Sequence, residues 1–159
     1  MIGIAGAGAF GTALAIALAK AGREVRLWAR NPDQVREMRE TRCNARSLAG
    51  VVLPGNVSVH AEIAEVCGGR ALLLATPMQA LGALLDAWPA ITARQPLVAC
   101  CKGVDLAALS GPVALIEARR PDATAALLTG PSFAADIAQG LPTALTLAAA
   151  GGGEALQDL

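Results

Sequence analysis

Three glycines spaced G-x-G-x-x-G stand at Gly6, Gly8 and Gly11, inside the stretch "GAGAFGTALA". In a chain with 17 glycines the bare spacing carries little weight, and its place along the chain decides the matter. The run "IGIAG" ahead of it suits a short buried strand, and residues from Phe10 to Ala21 suit a helix that Gly22 can stop. A glycine turn that leaves a strand and opens a helix is the setting of a dinucleotide site. Gly6 allows the tight turn, Gly8 lets a pyrophosphate approach the backbone, and Gly11 lets helix and strand pack closely. The free N–H groups at the helix N-terminus then face the phosphates.

The next side chain in this chemistry is Arg30. An NAD site usually carries Asp or Glu at the end of the second strand, where it holds the ribose 2′-hydroxyl. Here that strand ends "LWARN", and a guanidinium suits a 2′-phosphate through paired hydrogen bonds. The expected cofactor is NADP(H), with NAD(H) as the alternative. Lys102 follows an apolar run and precedes Gly103, so its ammonium can reach inward to neutralise a phosphate or polarise a carbonyl. Ser132 precedes "FAADIAQ", with Asp136 in the first turn. It is expected to cap that helix, and the same hydroxyl can donate to a substrate there.

Other reactive residues receive no role in the chemistry. His60, the only histidine, lies in a short segment before "AEIAEVC" and is read as lacking an acid or nucleophile partner. Cys43, Cys67, Cys100 and Cys101 show no C-x-x-C spacing and read as buried thiols of a reducing cytoplasm. Cys100 and Cys101 alternate sides of a strand, which places at least one in the core. No residues stand at a recognised metal-ligand spacing. Thirteen basic residues balance 13 acidic ones, so no net field draws the chain to nucleic acid or to an anionic membrane. The uncharged stretch from Met1 to Ala19 is broken by glycines and has no basic residue before it, against a secretory signal or a membrane span.

A chain of 159 residues fits one domain, and with 54% hydrophobic but only 3% aromatic residues its core must be Ala, Leu, Val and Ile. After the first helix, "EVRLWAR" reads as a second strand. Asn31, Pro32 and Gln34 then read as N-cap, first-turn proline and capping-box partner of a helix reaching Arg42. The alternation continues with "AEIAEVC" helical, "RALLLAT" a strand, "MQALGALLDAW" a helix, "LVACC" a strand and Pro112 to Arg120 a helix. "TAALLT" strand, "FAADIAQ" helix and "TALTLAAA" strand complete it. Continuously apolar strands between helices predict an α/β, Rossmann-type doubly wound, mainly parallel sheet with helices on both faces. Cys43 to Asn56 is expected to be the one long loop.

Three further stretches, "ATP" (75–77), "CCKGVD" (100–105) and "LTGPSFAADIAQGLPTA" (128–144), leave the carboxyl ends of strands. With "GAGAFGTALA" and "LWARN" they resemble the bacterial NAD(P)-dependent glycerol-3-phosphate dehydrogenases, over nearly the whole chain. "GPSFA…GLPTA" is the most specific part. The resemblance implies hydride transfer between NAD(P)H and C2 of dihydroxyacetone phosphate, giving sn-glycerol 3-phosphate for phospholipid synthesis. It implies cofactor contacts from Phe10, Arg30, Lys102 and Ala134, and substrate contacts from Lys102, Gly130 and Ser132. It also implies a cytoplasmic enzyme and a homodimer when full length, with a small phosphorylated substrate as partner.

Two departures stand out. The family commonly has tyrosine and proline in the loop after the second helix, where this chain has Ser47 and Ala49, and often Trp in place of Phe10. Members are also roughly twice as long, and their general acid/base is a lysine in a helical domain that would follow Leu159. The chain is therefore expected to be the cofactor-binding part, 1–159, cut short at its end and without a catalytic residue of its own. The competing readings are a stand-alone redox-sensing nucleotide module and another two-domain reductase, of the 3-hydroxyacid or 6-phosphogluconate type, which would share the glycines but not "CKG…GPSFA".

Overall fold

The apolar run Ile2–Ala5 forms strand β1, buried throughout because both faces of the sheet are covered. The computed structural model describes residues 1–88, 95–151 and Leu156; most of the tail "GGGEALQDL" lies outside the described residues. Chain order continues with α1 (Ala9–Lys20), β2 (Val25–Trp28), α2 (Pro32–Thr41), β3 (Cys43–Asn44), β4 (Leu48–Val52) and β5 (Val57–His60). A 3-10 turn (Ile63–Val66) leads to β6 (Leu72–Leu74), α3 (Met78–Asp86) and β7 (Pro96–Ala99). The rest is α4 (Pro112–Arg119), β8 (Thr124–Thr129), α5 (Ala134–Gln139) and β9 (Thr146–Ala149).

Seven strands form one sheet in the order β5-β2-β1-β6-β7-β8-β9, all parallel except the exposed edge strand β9, which runs antiparallel to β8. Successive side chains of a strand face opposite ways, and two cores result. Ile2, Ile4, Leu73, Val98 and Cys100 pack with α1, α2 and α5 on one face. Ala5, Leu72, Leu74, Leu97, Ala99 and Cys101 pack with α3 and α4 on the other. The expected doubly wound α/β fold is present. Each of the adjacent thiols enters its own core, and burial pushes Cys100 up to about 12 and Cys101 upward too.

Cys43 and Cys67 are only half-buried, a correction to the expectation for all four thiols. A thiol reagent at about pH 8 is expected to label Cys43 in the folded chain and spare Cys100 and Cys101, since thiolate is the reactive form. Labelling of Cys100 at the rate of Cys43 would contradict this packing.

The stretch 43–56 is no open loop. Cys43–Asn44 and Leu48–Val52 pair as an antiparallel hairpin, and the Arg42 guanidinium ties its base by donating to the carbonyls of Leu53, Pro54 and Val57. "VSVH" then adds β5 to the sheet beside β2. "AEIAEVC" makes one 3-10 turn in place of a helix. His60 has the partners it was read to lack: Nε2 lies 2.8 Å from Ser58 Oγ and Nδ1 3.2 Å from Glu65. The imidazole holds the Glu65 carboxyl below its usual range.

Candidate functional site

The first strand and helix meet in a turn where each glycine has a distinct surrounding. Gly6 adopts φ +123°, and a Cβ there would lie 2.5 Å from the carbonyl oxygen of Ala75. A Cβ on Gly11 would lie 2.0 Å from the carbonyl oxygen of Gly6. These two are required by packing. Gly8 differs: nothing lies within 4 Å of where its Cβ would stand. Gly8 is also the N-cap of α1, whose first turn has neither a side-chain cap nor an acid. Free N–H groups at the positive end of a 12-residue helix therefore face open space.

That space is a cleft of about 570 Å³ running from Gly6, Ala7 and Gly8 past Trp28, Arg30 and Asn31 to α3. The rest of its lining is largely apolar and includes Ile63, Ala80, Ala83 and Leu84. Arg30 is the one charged residue on its wall, exposed and without a partner among the described residues. An apolar slot, a helix N-terminus and a lone guanidinium suit a flat heterocycle, a pyrophosphate and a further phosphate, respectively.

The capping reading of α2 is half right. Asn31 Oδ1 accepts from the Asp33 N–H at 2.9 Å, but Gln34 does not close a capping box. Its Nε2 donates to the Ala7 carbonyl at 3.0 Å and to Asn44 Oδ1 at 3.1 Å. Asn44, buried on β3, donates in turn to the same carbonyl at 2.9 Å and to Thr12 Oγ1 at 2.8 Å. These contacts span 10 to 37 residues and leave no mark in local spacing. Ser47 also lines the cleft.

The remaining candidates sit at the same carboxyl edge, because β1, β2, β6, β7 and β8 are parallel. Lys102 follows β7, is exposed and has no partner among the described residues. Its loop is held by Gln79 of α3, which donates to the Val104 carbonyl and accepts from the Leu106 N–H. Gly130 follows β8, and a Cβ there would lie 2.5 Å from the Ala144 carbonyl, so "GPSFA" and "GLPTA" pack on one another. Ser132 does not cap α5. The Ser132 N–H donates to the Gly130 carbonyl in a tight turn, which moves the N-cap on to Phe133. Ser132 Oγ is left buried without a hydrogen bond, as is Thr76 Oγ1, and such a hydroxyl has an unused donor. Phe10 and Ala134 are half-buried against the core. The cleft wall brings together Gly6, Gly8 and Arg30; it does not include Phe10, Gly11, Lys102, Gly130, Ser132 or Ala134.

A doubly wound sheet with a glycine-opened helix, lacking a side-chain cap, after its inner strand β1 defines a nucleotide-binding domain of the dehydrogenase class. The family model described as NAD-dependent glycerol-3-phosphate dehydrogenase N-terminus matches residues 1–154. The chain belongs to that family. Relatives named glycerol-3-phosphate dehydrogenase, NAD(P)+, share 53% identity over 147 residues in Ruegeria sp. and 53% over 158 residues in Paracoccus denitrificans. These alignments cover 92% and 98% of this chain but 46% and 48% of the relatives. The crystal structure of glycerol-3-phosphate dehydrogenase from Coxiella burnetii superposes with a TM-score of 0.91 at 30% identity, over 99% of this chain and 48% of that one. The chain thus spans about half the length of the curated relatives it matches. An imine reductase from Aspergillus terreus, at 17% identity and TM-score 0.63, shares the fold alone.

Proposed function

We propose that this chain binds NADP(H) in preference to NAD(H) and forms the cofactor side, with part of the substrate side, of an enzyme interconverting sn-glycerol 3-phosphate and dihydroxyacetone phosphate. The observation that carries the cofactor choice is Arg30, unpaired on the wall of a cleft that otherwise lacks charge. The fit to a dinucleotide rests on Gly8, where a missing Cβ opens the backbone to a phosphate.

When bound, the nicotinamide supplies or accepts the hydride. The α1 N-terminus and Gly8 bind the pyrophosphate, and Arg30 clamps the 2′-phosphate. Lys102 faces the substrate from its braced loop, balancing phosphate charge or the oxyanion that develops at the carbonyl. Gly130 fixes the turn that presents Ser132, whose unpartnered hydroxyl turns to a substrate oxygen. Phe10 and Ala134 meet the cofactor from the start of α1 and of α5. The proton for the alkoxide is assigned to an acid in the half of the relatives' length that this chain does not span. The whole enzyme is cytoplasmic and homodimeric, and its product enters glycerophospholipid synthesis.

Arg30→Ala tests the cofactor choice. Loss of a charge-assisted contact costs about 1.5–3 kcal/mol, so NADPH should bind roughly 10- to 100-fold more weakly while NADH changes little. Equal losses for both would refute the role of Arg30. A second expectation concerns turnover: the 159-residue chain should bind NADPH yet fail to oxidise it with dihydroxyacetone phosphate, because a positioned acid contributes about 10²–10⁴-fold. Turnover matching a full-length relative would place the acid within this chain.

A further inference from the structure

We infer that Asn44, together with Gln34, is a positioning residue for the phosphate site: it locks the peptide between Ala7 and Gly8 in the orientation that presents the Gly8 N–H to a pyrophosphate. The inference rests on the proposal that the glycine turn binds a dinucleotide. Asn44 is 1% exposed, on a hairpin rather than in the sheet. Its amide closes a network with every hydrogen placed. One N–H donates to the Ala7 carbonyl, the other to Thr12 Oγ1 on α1, and Oδ1 accepts from Gln34, which itself donates to Ala7. A carbonyl oxygen only accepts, so both amides must turn their NH2 groups toward it.

The consequence follows from peptide planarity. In a trans peptide the C=O of Ala7 and the N–H of Gly8 point in opposite directions. Fixing the first toward α2 and β3 aims the second away from them, and no backbone carbonyl among the described residues accepts from it. The turn needs such a lock because of its own glycine. A flip of this one peptide would carry Gly8 from φ −75° into positive φ, which glycine tolerates and other residues resist. The flipped state would present a carbonyl oxygen where a phosphate needs a donor. The open Cβ side that admits the phosphate therefore also admits the wrong peptide orientation, and two side-chain amides on Ala7 select against it. Apparent affinity falls with the fraction of molecules in the competent orientation.

Asn44→Leu keeps the volume and removes both donors. NADPH and 2′-AMP, which carries the adenosine and 2′-phosphate but no pyrophosphate, would be titrated by calorimetry into the unaltered chain and the variant, with Tm measured alongside. The expected result is roughly tenfold weaker binding of NADPH, as for loss of one well-made hydrogen bond, with 2′-AMP within about twofold of the unaltered chain. Equal weakening of both ligands, or a fall in Tm with both affinities unchanged, would overturn the inference and leave Asn44 a packing residue. If Asn44→Leu does not fold, Gln34→Met removes the second donor from a less buried position and is held to the same two outcomes. Failure of the unaltered chain to bind NADPH would instead overturn the dinucleotide reading, and this inference with it.

Discussion

Gly11→Ala will destabilise the fold, whereas Gly8→Ala will leave the fold intact and remove nucleotide binding. The added methyl at residue 11 would stand 2.0 Å from the Gly6 carbonyl oxygen and 3.0 Å from the Ala75 Cβ. Neither can retreat without moving β1 or the loop after β6. Overpacking costs about 1–3 kcal/mol, more against rigid backbone, and ~3 kcal/mol lowers the Tm of a domain this size by roughly 6–12 °C. At residue 8 the methyl meets no protein atom within 4 Å and φ is −75°, so the Tm should fall by no more than about 3 °C, from the poorer N-cap. The same methyl occupies the approach of the pyrophosphate. A roughly hundredfold rise in Kd for NADPH, about 2.7 kcal/mol, is expected. Thermal melts and calorimetry on both variants separate the two roles. A Gly8→Ala variant that binds as before would show that the cofactor does not cross this turn.

Lys102→Ala should remove most turnover while sparing the fold. The side chain is exposed and unpaired among the described residues, so there is little packing to lose. Its loop is set from within by the Gln79 clamp and by Gly103 at φ +102°, so the alanine variant keeps the same backbone. An ammonium aimed at developing negative charge contributes about 10²–10³-fold. The assay is kcat/KM for dihydroxyacetone phosphate in a chimera where this chain replaces the matching part of the Paracoccus denitrificans relative. A change under about twofold, less than half a kcal/mol, would make Lys102 an ordinary surface charge.

What was legible in the sequence and what was not divide along physical lines. The glycine turn could be read because strand, turn and helix are local and Gly11 is required by the Gly6 carbonyl within that unit, although Gly6 itself is required by Ala75, far along the chain. The buried strands could be read because burial on both faces leaves only apolar residues, as in "IGIA" and "LLL". β5 was hidden: "VSVH" alternates in burial at the sheet edge, and its single apolar face did not stand out from a polar loop. Ser132 was misassigned because capping preference is a one-residue property, and the Gly130–Ser132 turn shifted the cap. Gln34 misled in a similar way. Three residues after an N-cap, it fits a capping box locally, yet the turn at Ala7 offers its amide a tertiary acceptor. Asn44 carried no local signal, since its partners lie 10, 32 and 37 residues away.

Calorimetric titration of the 159-residue chain with NADPH decides whether the cleft between the glycine turn and Arg30 is a dinucleotide site. Saturable one-to-one binding is expected, tighter for NADPH than for NADH and lost in Gly8→Ala. A folded chain that takes up neither nucleotide, or that binds NADPH equally well with an alanine at residue 8, would contradict it.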